Sequence, residues 1–402
     1  MKKHIIIFFP FLIHLQSYCQ DFFTAKVPCS DSLLMTIKGS YKKIDDYINS
    51  SISTVLPKAQ QPETFRRMDA MHQLLLEAYP QPIGMDGRWW HILETSFFAP
   101  DATGLKGTSV CSYYYKCVFG SNCCYQDRPM DVSIYADVYN VLSIIANELG
   151  EAENYLHKVT MSINGGKVFL LTPIIGSWKG YDLYSDEAAK FSWVLLSRKG
   201  ESPFIPVTRK QYLDYSINYL DHFYDEQIKF AKQMPVRSLE VQEAEKKQSL
   251  DKIEEDYKNN TYQRDAIRKN FLDTYKTEQQ RRYETVNNLI KMKEDGIKRY
   301  EAALEKSKAD KLLDTPAEVF QPFSVEENIP VFASGVEGGK MLITENPAYF
   351  RKDLPKYIPQ FMVLYWEWVS DAPMYGGEQG AYYRKMIEQN FPIEKLQAMI
   401  DK

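Results

Sequence analysis

The sequence has no basic surplus. Its 402 residues include 49 Lys and Arg against 53 Asp and Glu, a formal net charge of -4. So balanced a chain has no excess cation with which to neutralise phosphates, which argues against nucleic acid as the main partner. Past the N-terminal stretch there is no apolar run long enough for a membrane helix, so no membrane span is expected. Catalytic patterns are missing as well. Gly176-Ser177-Trp178-Lys179-Gly180 has the wrong order for a nucleophile elbow, and no H-E-x-x-H run exists. Gly335-Val336-Glu337-Gly338-Gly339-Lys340 fails as a phosphate loop. Ser334 stands five before Gly339, and Met341 stands where a Ser or Thr would meet magnesium. That run reads as a flexible turn before a strand. No cofactor and no metal is called for.

Between Val236 and Asp295 the chain also lacks glycine and proline, and it is crowded there with Lys, Glu, Arg, Asp and Gln. That composition predicts long, solvated, amphipathic helix. Leu250, Ile253, Tyr257, Ile267, Phe271, Val286, Ile290, Ile297, Tyr300 and Leu304 fall on steps of three, four and seven, which suits two helices packed as a coiled coil. Lys276 to Arg282 interrupts the seam. Upstream, Thr208 is placed to cap a helix whose Tyr212, Tyr215, Tyr219 and Phe223 form an aromatic stripe, and Pro235 should kink or break it. Asn259-Asn260-Thr261 is the best turn, with Thr261 as the cap of the next helix. A turn there divides 207–313 into two nearly equal limbs, each reaching ~75 Å if straight. The expected arrangement is an antiparallel helical hairpin; a compact bundle folded on the body is the alternative.

The flanking regions read as a globular body over 20–206 and 314–402. Met68, Met71, Leu74, Leu75 and Ala78 mark a helix stopped by Pro80, and a further helix is expected around Tyr41 to Ser53. Val132, Ile134, Ala136 and Val138 alternate as a strand does. Asn164-Gly165 between two alternating runs predicts a tight hairpin. Phe191 to Leu196, Lys340 to Thr344 and Gln360 to Val369 are further strands, and Tyr382 to Gln389 and Ile393 to Ile400 are helices. The fold class is therefore α+β: an antiparallel sheet with flanking helices, interrupted by the helical hairpin. Such an interruption requires the segments on either side to meet in space.

The N-terminus reads as an export signal over 1–19. Lys2 and Lys3 precede a short apolar stretch, and Ser17 and Cys19 have the spacing of a cleavage site that leaves Gln20 first. Lipidation at Cys19 is the alternative, although Tyr18 and Gln16 fit that signal poorly. In an exported chain the remaining cysteines, Cys29, Cys111, Cys117, Cys123 and Cys124, are first read as disulfide candidates. No C-x-x-C pair supports zinc, and Cys123 and Cys124, being adjacent, are poorly spaced to bond each other.

Few residues suggest chemistry. His222 and Glu226 lie one turn apart, a surface pair more readily than a metal site. His91 and Glu94 stand beside Trp89 and Trp90 and offer an acid–base pair at a sugar-stacking platform, against the plainer reading of a buried aromatic turn. Trp366-Glu367-Trp368, with Asp371, places both rings on one side of a strand and Glu367 on the other. Glycoside cleavage needs a second carboxylate, and the sequence nominates none.

Asn346-Pro347-Ala348-Tyr349-Phe350, Leu354-Pro355 and Pro359-Gln360-Phe361, together with Pro203-Phe204, Pro206, Thr208-Arg209 and Tyr212-Leu213, resemble segments of uncharacterised secreted proteins of Bacteroidota. The resemblance covers about a third of the chain. It implies export and a strand–helical-arm–strand layout, and it carries no activity and no functional residues. The functional expectation is a non-enzymatic binding or structural protein of the cell envelope, using the helical arm to hold a protein partner or another copy of itself. A secreted or periplasmic hydrolase of polysaccharide or peptide, and a sugar-binding module, are the alternatives.

Overall fold

The computed structural model describes residues 30–48, 56–94, 105–117, 124–137, 162–163, 166–186, 190–320, 329–333, 338–368 and 377–402. The signal segment, Cys29, Cys123, Asn164-Gly165, Asp371 and most of the 334–340 turn lie outside them. The fold is mixed α/β, with eight helices among the described residues. The chain divides into two compact units, residues 1–206 with 340–402, and residues 207–339.

The first unit centres on a nine-stranded sheet. Its strands are β1 (Tyr41–Lys43), β2 (Tyr47–Ile48), β3 (Met85–Glu94), β4 (Leu105–Cys117), β5 (Cys124–Ala136), β8 (Ile174–Trp178), β9 (Tyr181–Asp186), β10 (Phe191–Leu196) and β14 (Met362–Glu367). The order is β1-β3-β4-β5-β14-β10-β9-β8, with β2 also beside β3. The sheet is mixed, not purely antiparallel, because β1 and β2 run parallel to β3. Parallel neighbours need a crossover connection, and α2 (Gln61–Ala78) supplies it between β2 and β3. Of the helix expected over Tyr41 to Ser53, the part up to Ile48 is replaced by β1 and β2, since pairing with the β3 edge outweighs the local helical pattern, and 49–53 lie outside the described residues.

One face of the sheet is covered by α2, α7 (Gly377–Asn390) and α8 (Ile393–Gln397). Met71, Leu74, Leu75 and Ala78 of α2, with Tyr383, Ile387, Phe391, Ile393 and Leu396, bury against Val110, Met130, Val132, Ile134, Leu364 and Trp366. Each large apolar side chain so buried contributes ~1.5–3 kcal/mol. Lys179 and Gly180, both at positive φ (49° and 86°), form the two-residue turn between β8 and β9. The Lys179 ammonium reaches the carbonyls of Gln389 (3.1 Å) and Phe391 (2.7 Å), meeting the open C-terminal end of α7. The misordered elbow sequence is thus a strand and a turn.

A smaller sheet runs β11 (Phe204–Pro206), β13 (Lys340–Glu345), β7 (Gly166–Leu170), β6 (Ser162–Ile163). Ile163 pairs with Gly166, as a two-residue connection requires. Phe169, Leu171 and Ile343 of this region share a core with Phe191, Trp193, Val363 and Phe361 of the large sheet. The insertion expectation can be read in the registers. Phe204 pairs with Glu345 and Pro206 with Ile343, while β14 lies between β5 and β10. Strands from before 206 and after 340 therefore build both sheets jointly.

Asn346 to Phe350 fastens this junction. The Asn346 side chain donates to the Ser202 carbonyl (2.8 Å), and its backbone N–H to that of Pro203 (2.9 Å). The Tyr349 hydroxyl donates to the Gln360 carbonyl (2.5 Å) and accepts from the Arg198 backbone N–H (3.1 Å). The Arg198 guanidinium stacks on the Tyr349 ring at 3.8 Å and pairs with Asp401 at 3.2 Å.

The second unit holds α3 (Arg209–Gln233), α4 (Leu239–Asp256), α5 (Thr261–Thr274) and α6 (Glu278–Ala309). Thr208 caps α3 in a reciprocal box with Gln211, and the chain breaks at Pro235 before Ser238 caps α4. At the next turn the cap is Asn260, whose side chain accepts from the Gln263 N–H; Thr261 is already helical. The polar stretch after Lys276 is a break the periodicity left open: α5 ends at Thr274, and Thr277 caps α6. Tyr212 meets Tyr300 hydroxyl to hydroxyl at 3.3 Å, Lys293 pairs with Asp221 (2.8 Å) and Asp225 (2.5 Å), and Arg282 reaches the Met234 carbonyl (3.2 Å). Partner numbers fall along α6 as they rise along α3.

Candidate functional site

The sheet face opposite α2 is where polar chemistry collects. Because Met130, Val132, Ile134 and Ala136 face the core, Asp131, Ser133 and Tyr135 face the other way. Register then fixes their neighbours. Arg88 pairs with Cys111, Cys111 with Asp131, and Val132 with Trp366, so one step along sets Asp131 abreast of Glu367. A row Arg88–Cys111–Asp131–Glu367 crosses four strands. The next row carries Trp90, Ser109, Ser133 and Tyr365. Ser109 and Ser133 hydroxyls lie 2.7 Å apart, both buried. The Tyr365 hydroxyl donates to Glu367 at 2.5 Å, and the Arg88 guanidinium sits 4.6 Å above the Tyr113 ring.

Burial, with the Glu367 charge adding to it, pushes the Asp131 carboxyl up to about 6, against the pull of the Cys111 thiol hydrogen bond. Its Oδ1 is buried without a hydrogen-bond partner among the described residues. The Cys111 thiol is free and buried, and burial followed by the neighbouring Asp131 holds it above the ordinary thiol range. Burial and the bond to Glu367 push the Tyr365 phenol up as well. The row thus sets a reluctant acid beside a second carboxylate that a phenol supports. That arrangement can bind polar groups or move a proton.

On the other face, His72 of α2 stacks on Trp89 at 3.7 Å, and His91 stands edge-on to the same ring at 5.3 Å. Burial, then the His91 charge, lowers His72 to about 4. Neither His72 nitrogen has a hydrogen-bond partner among the described residues. His91 Nε2 lies 2.9 Å from Asp69 Oδ1, and Lys43 covers Trp89 at 4.9 Å.

These positions settle several sequence readings. Of the expected His91–Glu94 pair, the Glu94 side chain lies outside those described, and His91 is partnered by Asp69 of α2. Trp89 and Trp90, adjacent on a strand, part to opposite faces and form no platform together. Trp366 and Trp368 are buried under α7 while Glu367 joins the opposite face. His222 and Glu226 are exposed, and Glu226 meets Lys229 at 3.5 Å. Cys117 and Cys124 are Cα partners at the end of the β4–β5 ladder. Sequence reading missed Asp131 and His72. The alternation of β5 already placed Asp131 opposite the core, but its partners needed the register. No group of three or more metal-ligating side chains occurs among the described residues, and no helix among them is long and apolar enough to cross a membrane.

Compared with family models, curated proteins and solved structures, the chain matches none.

Proposed function

We propose that this is an exported, non-enzymatic binding or structural protein of the cell envelope, in which α3–α6 form an antiparallel arm, doubled back at Asn259-Asn260, that docks a protein partner. One observation carries the reading. Of the fourteen large apolar side chains exposed among the described residues, eight lie on or between these helices: Phe230, Met234, Leu239, Val241, Tyr262, Leu272, Tyr283 and Met292. Tyr262 is 89%, Tyr283 69% and Phe230 60% exposed. Large apolar groups gathered on one unit mark an interaction surface, where scattered single ones do not. The Arg282 contact to Met234 puts Tyr283 level with Phe230 and Met234, so three of the eight share one stretch of the arm. The doubled-back geometry is supported by the falling partner numbers between α3 and α6 and by Arg264 meeting Glu254 (3.3 Å) across the turn. The basic start at Lys2 and Lys3 and the short apolar stretch after it favour export.

The test is triple substitution of Phe230, Met234 and Tyr283 by serine in the full chain. Capture of the partner should fall at least about tenfold, a loss of ~1.4 kcal/mol or more, with the melting temperature unchanged. Undiminished capture would remove the arm as the docking surface.

A second reading, a hydrolase or sugar-binding site on the sheet face opposite α2, is favoured by the Asp131–Glu367 pair with Trp90 one row away. The two stand abreast on neighbouring antiparallel strands, and glycoside hydrolysis uses a pair of carboxylates flanking the bond that is cut. Polysaccharide turnover abolished by Glu367→Gln and by Asp131→Asn would establish it; no turnover by the wild type across a polysaccharide and peptide panel rejects it.

A further inference from the structure

We propose that β8 is an edge at which two copies of this chain join, the strand pairing antiparallel with β8 of a second copy about a two-fold axis through Gly176. The large apolar side chains exposed outside the helical unit gather at sheet edges. Ile44, Tyr47 and Ile48 lie on or beside β1 and β2, Ile205 on β11, and Ile174 and Ile175, each 52% exposed, on β8. Among the described residues β8 pairs with β9 alone, and its other side is open. Folded proteins blunt such edges with charge or proline. β1 carries Lys42 and Lys43, and β11 ends in Pro206. Ile174-Ile175-Gly176-Ser177-Trp178 carries neither, and Lys179 beside it is turned to the carbonyls of Gln389 and Phe391.

The occupant follows from the strand itself. The turn at Lys179-Gly180 closes on the Trp178–Tyr181 pair, which a two-residue loop makes a hydrogen-bonded one. Hydrogen-bonded and non-hydrogen-bonded pairs alternate, so the Ser177 N–H and carbonyl point out from the sheet while those of Gly176 point to β9. Gly176 is the midpoint of β8. An axis there overlaps the whole strand with its copy and sets Ser177 opposite Ile175 of the second copy as a hydrogen-bonded pair. Gly176 then faces itself at a non-hydrogen-bonded position, where Cα atoms come within ~4.5 Å. Nothing in its own chain demands that glycine. Its φ is not in the left-handed region, and a Cβ built on it meets nothing within 4 Å beyond its chain neighbours. A glycine inside a strand marks a bulge or a close approach of another backbone. The register does shift between Ile174 and Gly176, but the bulge that calls for glycine does so through a positive φ. Charge agrees with a second copy as well: the strand has none, so the two-fold brings no like charges together. Pairing β8 with the β1 edge of another copy would leave a free edge at each end and build a fibre. Interfaces below ~1,200 Å² belong to transient encounters, and so short an edge makes the dimer a reversible one.

Sedimentation velocity of the full-length chain over a concentration series, under reducing conditions, tests it. The expected result is a reversible monomer–dimer equilibrium. Ile175→Lys, at an exposed position, should weaken it at least about tenfold with the melting temperature unchanged, since it puts an ammonium on the edge of each copy. The triple serine variant at Phe230, Met234 and Tyr283 should leave it as it is, which separates this edge from the helical arm. Gly176→Cys reads the axis directly. Space around Gly176 is open, so the variant should fold, and Cα atoms ~4.5 Å apart lie within the span a disulfide bridges. Oxidised glutathione should give a reducible dimer in excess of that from the wild type, and adding Ile175→Lys should suppress it. A monomer at every concentration, association indifferent to Ile175→Lys, a dimer lost in the arm variant, a ladder of larger species, or no additional link in Gly176→Cys overturns the proposal.

Discussion

At the scale of single residues, two buried titrating groups pull stability in opposite directions. His72 is neutral in the fold down to about 4, against 6.5 for a free imidazole. The unfolded chain therefore binds the proton first. Its contribution is whole above pH 6.5 and is lost as the pH falls toward 4, about 3 kcal/mol in all. Asp131, raised from 3.8 to about 6, binds its proton first in the fold. Its contribution is whole below pH 3.8 and lost as the pH rises through 6. The two windows overlap and their slopes oppose, so between pH 4 and 6 each masks the other in denaturant unfolding of the wild type. Asp131→Asn should uncover stability that rises with pH, and His72→Phe stability that falls. Two variants with the same slope would contradict the assignment. A second residue-scale prediction concerns Tyr349. Phenylalanine there keeps the ring under Arg198 but removes the hydroxyl that serves the Gln360 carbonyl and the Arg198 N–H. A loss of ~1–3 kcal/mol in unfolding free energy is expected. The proline-rich motif was legible as turns; that its tyrosine clasps a junction was not, because Arg198 and Asp401 are far from it in sequence.

At the scale of elements, the helical unit is decided by its caps and breaks. Thr208 and Pro235 announced their roles from the sequence, since a hydroxyl cap and a missing N–H act locally. The break at Tyr275 to Thr277 was hidden, because what stabilises it is not local. Gln242, only 3% exposed, donates to the Arg237 carbonyl (2.7 Å) and to Gln279 Oε1 (3.2 Å), and it accepts the Glu278 N–H at 2.7 Å. The Tyr275 hydroxyl returns to the Gln242 carbonyl at 3.1 Å. Gln242→Leu strands the Arg237 carbonyl, the Gln279 side chain and the Glu278 N–H while keeping the backbone carbonyl that Tyr275 meets, and a cost of ~1–3 kcal/mol is expected, where Thr277→Ala should cost only ~1 kcal/mol through the lost cap. Thermal unfolding of both variants ranks the two effects; equal losses would show the glutamine to be incidental. In the sheet, β10 and β13 were legible nearly to the residue and β14 within two residues at each end, but β5 only in its C-terminal half from Val132, while β1 and β2 escaped because such short strands carry no period of their own.

At the scale of the whole molecule, distant parts of the chain cooperate. β14 lies between β5 and β10, and β13 beside β11, so sequence on both sides of the helical unit builds the same sheets. The long stretch without glycine or proline pointed to this arrangement, since an inserted arm must return its ends to neighbouring places. The polar row on the sheet stayed illegible because it is a property of register across four strands, with no two members adjacent in sequence. Whether the arm holds a partner is read by a photoreactive phenylalanine analogue at position 283, illuminated in cells that make the protein. A discrete crosslinked adduct to one protein partner or to a second copy is expected, lost when Phe230 and Met234 are replaced by aspartate. No adduct at 283, or an adduct indifferent to those replacements, would contradict it.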